Sequence, residues 1–166
     1  MEILAHFFQT LEWQFLFNLI FCLLIGTAMG LERQIKGKDA GIRTFCFVIL
    51  GAMVFTFISH QVDPQSTSRI AAQIVTGIGF LGAWLIIKDT ESTQIKNLTT
   101  AASIWYAGAI GMLIGFNFYV LAAFSALGAL AVPHFSRVIS RHFDPTKKYG
   151  SAHEEDEQVA EKKLPH

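Results

Sequence analysis

The run WQFLFNLIFCLLIGTAMGL, Trp13–Leu31, is followed at once by ERQIKGKDAGIR, Glu32–Arg43. The first stretch carries no charge, and the second carries Arg33, Lys36, Lys38 and Arg43. A hydrocarbon core of about 30 Å needs about 20 mostly apolar residues at about 1.5 Å rise each, so Trp13–Leu31 predicts a membrane-spanning helix with a basic connection behind it. The same signature recurs at Thr44–His60, Ile70–Ile87, Leu98–Phe116 and Phe118–Phe135, none of which contains Asp, Glu, Lys or Arg. A backbone in lipid must satisfy its own hydrogen bonds, which makes helices of all five. The expected fold class is an all-α polytopic membrane protein, a bundle of five transmembrane helices. A four-span arrangement would leave the last apolar run in the interface, with Phe116 and His134 on one side.

Charge sets the expected orientation. The connection after the first span, the connection after the third (Lys88, Lys96) and the C-terminal end hold twelve of the thirteen Lys and Arg residues; Arg69 alone lies elsewhere. Basic residues stay cytoplasmic, so the N-terminus is expected outside and the C-terminus in the cytoplasm. Residues 1–12 lack the basic start of a signal peptide. Ile3, Leu4, Phe7, Phe8 and Leu11 fall on one helical face there, predicting an interfacial amphipathic segment. The transmembrane domain then covers 13–136. Residues 141–166, with the run Glu154–Glu155–Asp156–Glu157, read as a disordered charged cytoplasmic tail. A formal net charge of zero gives no reason to expect nucleic acid as a partner. Cys22 and Cys46 both fall inside spans, at different depths, and read as small buried hydrophobes rather than a disulfide.

Lipid is as apolar as leucine, so helices in a bilayer associate by close contact through small residues. Gly26 and Gly30 form one G-x-x-x-G pair, and Gly111 and Gly115 another. Ala72, Thr76, Gly79 and Ala83 make a small face on the third span, beside Gly77 and Gly82. Such faces serve pairing within one chain or between copies in a homo-oligomer. Gly77-Ile78-Gly79-Phe80-Leu81-Gly82 satisfies G-x-G-x-x-G. That fingerprint needs a preceding strand and a turn opening a helix in water, so no nucleotide is expected.

The remaining polar residues are the functional candidates. Glu32 and Arg33 close the first span, Asp39 follows, and Arg43 opens the second. This basic connection could dock a partner or anionic headgroups, at roughly 1 kcal/mol per basic residue near such a surface, and it also serves as an orientation signal. Arg69 and Gln73 lie one turn apart on the third span, with Thr76 three further on. Thr99, Thr100 and Ser103 form a hydroxyl cluster on the fourth, where Asn97 or Thr99 could cap the helix. There is no H-E-x-x-H, no G-x-S-x-G and no pair of intramembrane carboxylates, and the six histidines are scattered. Neither catalysis, nor a metal, nor a cofactor is expected.

Gly30-Leu31-Glu32-Arg33-Gln34, Ala40-Gly41-Ile42-Arg43-Thr44, Arg69–Val75, Gly77–Ala83 and Leu98-Thr99-Thr100-Ala101-Ala102 with Trp105 stand in the order and spacing of one family. Over about residues 15–130 the chain resembles the MgtC/SapB family of bacterial membrane proteins. The resemblance implies a multi-pass protein of the bacterial cytoplasmic membrane, linked to low magnesium, survival in host cells or acid stress. For the founding branch it implies regulation of other membrane complexes, including the proton-driven ATP synthase. Trp84 stands where the family has glycine, Lys96-Asn97 replaces Arg-Gly, and Asp63-Pro64 lies further from Arg69 than is usual, so no role passes to Asp63. The soluble ACT-like domain of the founding branch is not expected here. Two readings follow: a regulatory protein acting on another membrane complex, or a small oligomeric transporter of Mg²⁺, H⁺ or a solute past Arg69, Gln73 and Thr100.

Overall fold

The structure is a computed structural model that describes residues 2–87 and 97–142. Among these residues are five helices and no strand: α1 (Glu2–Ile35), α2 (Ile42–Val62), α3 (Thr67–Ile87), α4 (Leu98–Gly115) and α5 (Tyr119–His142). Four hold stretches long and apolar enough to cross a bilayer: Thr10–Ile35, Ile42–Val62, Ser68–Ile86 and Leu98–Gly115. The apolar stretch of α5, Tyr119–Phe135, is shorter, near the lower limit of about 17 residues for a span. The tail beyond His142, and Lys88 and Lys96, lie outside the described residues.

The chain forms two compact units, Met1–Leu130 and Ala131–His166. The described part of the second is the end of α5, which carries Pro133 within the helix. In the first unit α2 is central and packs on α1, α3 and α4, while α4 also covers α3 and reaches α1. Phe45, Ile49 and Met53 of α2 meet Ile104, Ile110 and Ile114 of α4 in the fully buried core. The α1–α2 connection and the start of α4 share one end of the unit, here called the basic end. The α2–α3 and α4–α5 connections share the other, the far end.

Two helix ends use the same device. Gly37 (φ 63°) follows α1, with Lys38 N–H bonded to Arg33 C=O at 3.1 Å and Gly37 N–H to Gln34 C=O at 3.0 Å. Asn117 (φ 64°) follows α4, with Phe118 N–H on Leu113 C=O at 2.8 Å and Asn117 N–H on Ile114 C=O at 2.9 Å. Both are Schellman motifs, in which a left-handed residue lets the chain reverse while the last carbonyls stay bonded.

The first helix runs without a break from Glu2 to Ile35, and its last turns carry Glu32 and Arg33, which close the first span.

The glycines divide sharply. A Cβ on Gly30 would strike the backbone of Ile42, and one on Gly26 would come within 2.9 Å of Cys46 Cα; these two positions set how closely α1 approaches α2. Gly111 faces the Ile49 carbonyl and Gly115 the Met53 carbonyl, bringing α4 onto α2. Gly82 makes ordinary contact with Ala101. Gly77 and Gly79 meet nothing within 4 Å, so among the described residues they pack against no helix. The reason is rotational. α3 turns Ile74, Ile78 and Gly82, spaced by four, toward the core, and Gly77 and Gly79 fall on other flanks. Gly108, which lies outside the four-residue spacing of Gly111 and Gly115, receives the Ile78 side chain.

Candidate functional site

At the basic end, the last turn of α1 carries Arg33 inward. Its side chain is only 7 % exposed. Nη2 donates to Thr100 Oγ1 of α4 at 2.6 Å, and Thr100 is 2 % exposed. Nε is buried without a partner, and no carboxylate lies in ion-pair range among the described residues. A guanidinium away from water needs hydrogen bonds to be tolerated, so Thr100 is here a ligand for the cation. Asn97 stands at the N-cap of α4 in the left-handed region (φ 66°) but does not cap it. Its amide Nδ2 donates instead to Asp39 Oδ2 at 3.0 Å. Glu32 pairs with Lys36 along α1. The end of α1 and the connection that follows it are each fastened to α4, the first through Arg33–Thr100 and the second through Asp39–Asn97. Arg43 and Thr99 are exposed beside it. Ser103 Oγ bonds the Thr99 carbonyl at 2.6 Å, so the hydroxyl cluster expected on α4 splits into one buried and two outward members.

At the far end, Arg69 and Gln73 line a cleft of about 360 Å³ with Ser59, Asp63, Ser66 and Ile70. Thr76 does not extend the row, since its Oγ1 donates to Ala72 C=O of its own helix at 3.0 Å. Asp63, to which the sequence assigned nothing, faces Arg69's cleft because α2 ends there ahead of Pro64. Thr100 lines neither this cleft nor the apolar groove that Gln73 also borders. Of the candidates, then, the fold joins Arg33 with Thr100, and Arg69 with Gln73, at opposite ends. Among the described residues no group of three or more His, Cys, Asp or Glu side chains is placed to hold a metal ion.

A third polar cluster had no forewarning. Asn18, fully buried in α1, accepts from the Tyr119 hydroxyl at 2.6 Å and donates to Asn117 Oδ1 at 3.3 Å; the same hydroxyl lies 3.0 Å from Asn117 Oδ1. Phe17 and Phe21 stand edge-on to the Tyr119 ring. Two amides one turn apart within an apolar span, Gln14 and Asn18, were the available signal, because lipid offers them no partner. Tyr119→Phe is expected to cost about 0.6–2 kcal/mol, the range for an interhelical hydrogen bond in a membrane protein, read as a lower unfolding midpoint in detergent.

The model of the MgtC family matches residues 19–142. The chain belongs to the MgtC family. Protein MgtC of Salmonella typhimurium (strain LT2) is 44 % identical over 107 residues, 64 % of this chain and 46 % of that protein. "Putative magnesium transporter YhiD" of Escherichia coli (strain K12) is 39 % identical over 131 residues, 72 % of this chain and 59 % of that one. Protein MgtC of Brucella abortus (strain 2308) is 42 % identical over 110 residues, 66 % of this chain and 45 % of its own length. The chain spans about half the length of these curated relatives. No solved structure matches it. With its apolar helices, this member of the MgtC family is a multi-pass protein of the bacterial cytoplasmic membrane.

Proposed function

We propose that this MgtC-family chain is a regulatory, non-catalytic membrane protein that binds another membrane complex, such as the ATP synthase, during adaptation to low magnesium or acid stress. The observation that carries this reading is the fastening of the end of α1 and of the basic connection to α4, Arg33 to Thr100 and Asp39 to Asn97. It presents the exposed Lys38 and Arg43 on a held surface rather than a loose loop. Pre-ordering of this kind lowers the entropy lost when a partner docks. The transporter reading draws on the printed name of YhiD. Against it, the polar candidates sit in separate places at opposite ends, and a pathway needs them in series.

The test has two arms. Arg43→Glu is expected to insert with normal topology, read by reporter fusions at His60 and His142, while losing the complex that co-purifies with the unaltered protein from native membrane. In liposomes the purified protein is expected to pass neither Mg²⁺ nor H⁺. A flux abolished by Gln73→Leu would overturn regulation in favour of transport. Scrambled topology in Arg43→Glu would reduce the connection to an orientation signal.

A further inference from the structure

The far-end cleft and the apolar groove beside it adjoin as a two-part depression, with Ile70 and Gln73 lining both parts. We propose that this depression is a binding site for one phospholipid with an ethanolamine headgroup, the head in the cleft and an acyl chain in the groove.

The cleft supplies the matching chemistry. Arg69 and Asp63 both line it, yet neither is in an ion pair among the described residues. Ser59 also lines it, 2 % exposed, with its Oγ buried and without a hydrogen-bond partner. Gln73 adds a primary amide at the junction with the groove. A guanidinium binds a phosphate through its fork of N–H donors. The Ser59 hydroxyl and the Gln73 N–H₂ can donate to further phosphate oxygens. A primary ammonium carries three N–H donors, and Asp63 is the acceptor for it. A choline head has no N–H to offer Asp63, and a glycerol head has no cation for it, so the pair of opposite, uncombined charges selects the zwitterion with a primary amine. The level is right as well. The apolar stretch of α3 begins at Ser68, which puts Arg69 where the hydrocarbon meets the headgroups.

The groove supplies the rest. It has a volume of about 440 Å³ and runs between α2 and α3, with Phe47, Gly51 and Phe55 on one wall and Ile74, Gly77 and Leu81 on the other. Its room comes from two absent side chains, since Gly51 and Gly77 meet nothing within 4 Å. From Ile70 to Leu81 the helix rises about 16 Å at about 1.5 Å per residue, close to the depth of one leaflet, half of a core of about 30 Å.

The experiment uses the full chain reconstituted in vesicles of equal phosphatidylethanolamine and phosphatidylglycerol, extracted into detergent and read by native mass spectrometry. The unaltered protein is expected to retain one phosphatidylethanolamine in about tenfold excess over phosphatidylglycerol, the discrimination of one charge-assisted contact. Asp63→Asn should erase that preference. Arg69→Gln should lower retention of both lipids. Gly77→Leu fills open space and improves helix propensity, so it should keep the fold, shown by an unchanged unfolding midpoint, and lose the lipid. Equal retention of the two lipids by the unaltered protein would overturn the proposal. So would a lipid that survives Gly77→Leu, or a protein dimer seated on the groove in place of lipid.

Discussion

Gly111→Val is expected to destabilise the protein by about 3 kcal/mol or more, the upper range for overpacking a close-packed interior. A Cβ at Gly111 would run into the Ile49 carbonyl and come within 2.8 Å of the Ala52 Cβ. Neither obstacle can swing aside, because one is backbone and the other is the only side-chain carbon of its residue. Helices α2 and α4 must therefore separate, which loosens Ile49, Met53, Ile110 and Ile114 together. In a bilayer that loss is not made good by water exclusion, since contact is what holds the helices. Gly77→Val is the matched control. It adds the same side chain on a surface with nothing within 4 Å and should change stability by no more than about 0.5 kcal/mol. Thermal unfolding of both variants in one detergent checks the pair. Equal losses would show that the division of the glycines into packed and open sets is wrong.

Thr100→Val is expected to cost about 1.5–3 kcal/mol, the value of a hydrogen bond to a charged group. Valine nearly matches threonine in shape, so packing changes little, but Arg33 is left buried with Nη2 unpaired beside an Nε that already has no partner. Arg33→Leu removes the charge altogether and leaves a threonine hydroxyl able to bond its own helix backbone, so it should cost less. The double variant, Arg33→Leu with Thr100→Val, should be more stable than Thr100→Val alone. Removing both partners of a buried polar pair can be nearly neutral, whereas removing one is not. A double-mutant cycle of unfolding midpoints measures the coupling. If the two losses simply add, the contact between α1 and α4 does not hold Arg33 in place.

The helices themselves were readable from hydropathy, because an uncharged run of about 20 residues has few other uses in a chain of this size. The tight approach at Gly30 and Gly111 was readable from four-residue spacing. What spacing could not convey was rotation. The small face on α3 has the same period as the one on α4, yet α4 turns Gly111 into the core and α3 leaves Gly77 and Gly79 outside it. The role of Arg33 was hidden for a different reason. A basic residue at the end of a span is the ordinary mark of orientation, and its partner Thr100 lies 67 positions away. Asn97 looked like a cap because of where it stands, but its left-handed backbone turned the amide toward Asp39. Asn18 was passed over as an amide among leucines and phenylalanines, its partners being on a turn and a helix about a hundred residues later.

The unbroken first helix has a further consequence. At about 1.5 Å per residue, the 34 residues of α1 measure about 51 Å, against about 40–45 Å for a bilayer with its headgroups. Such a rod must lean or project. Gly26 and Gly30 press it against α2, so any lean is shared by its neighbour rather than taken up by α1 alone.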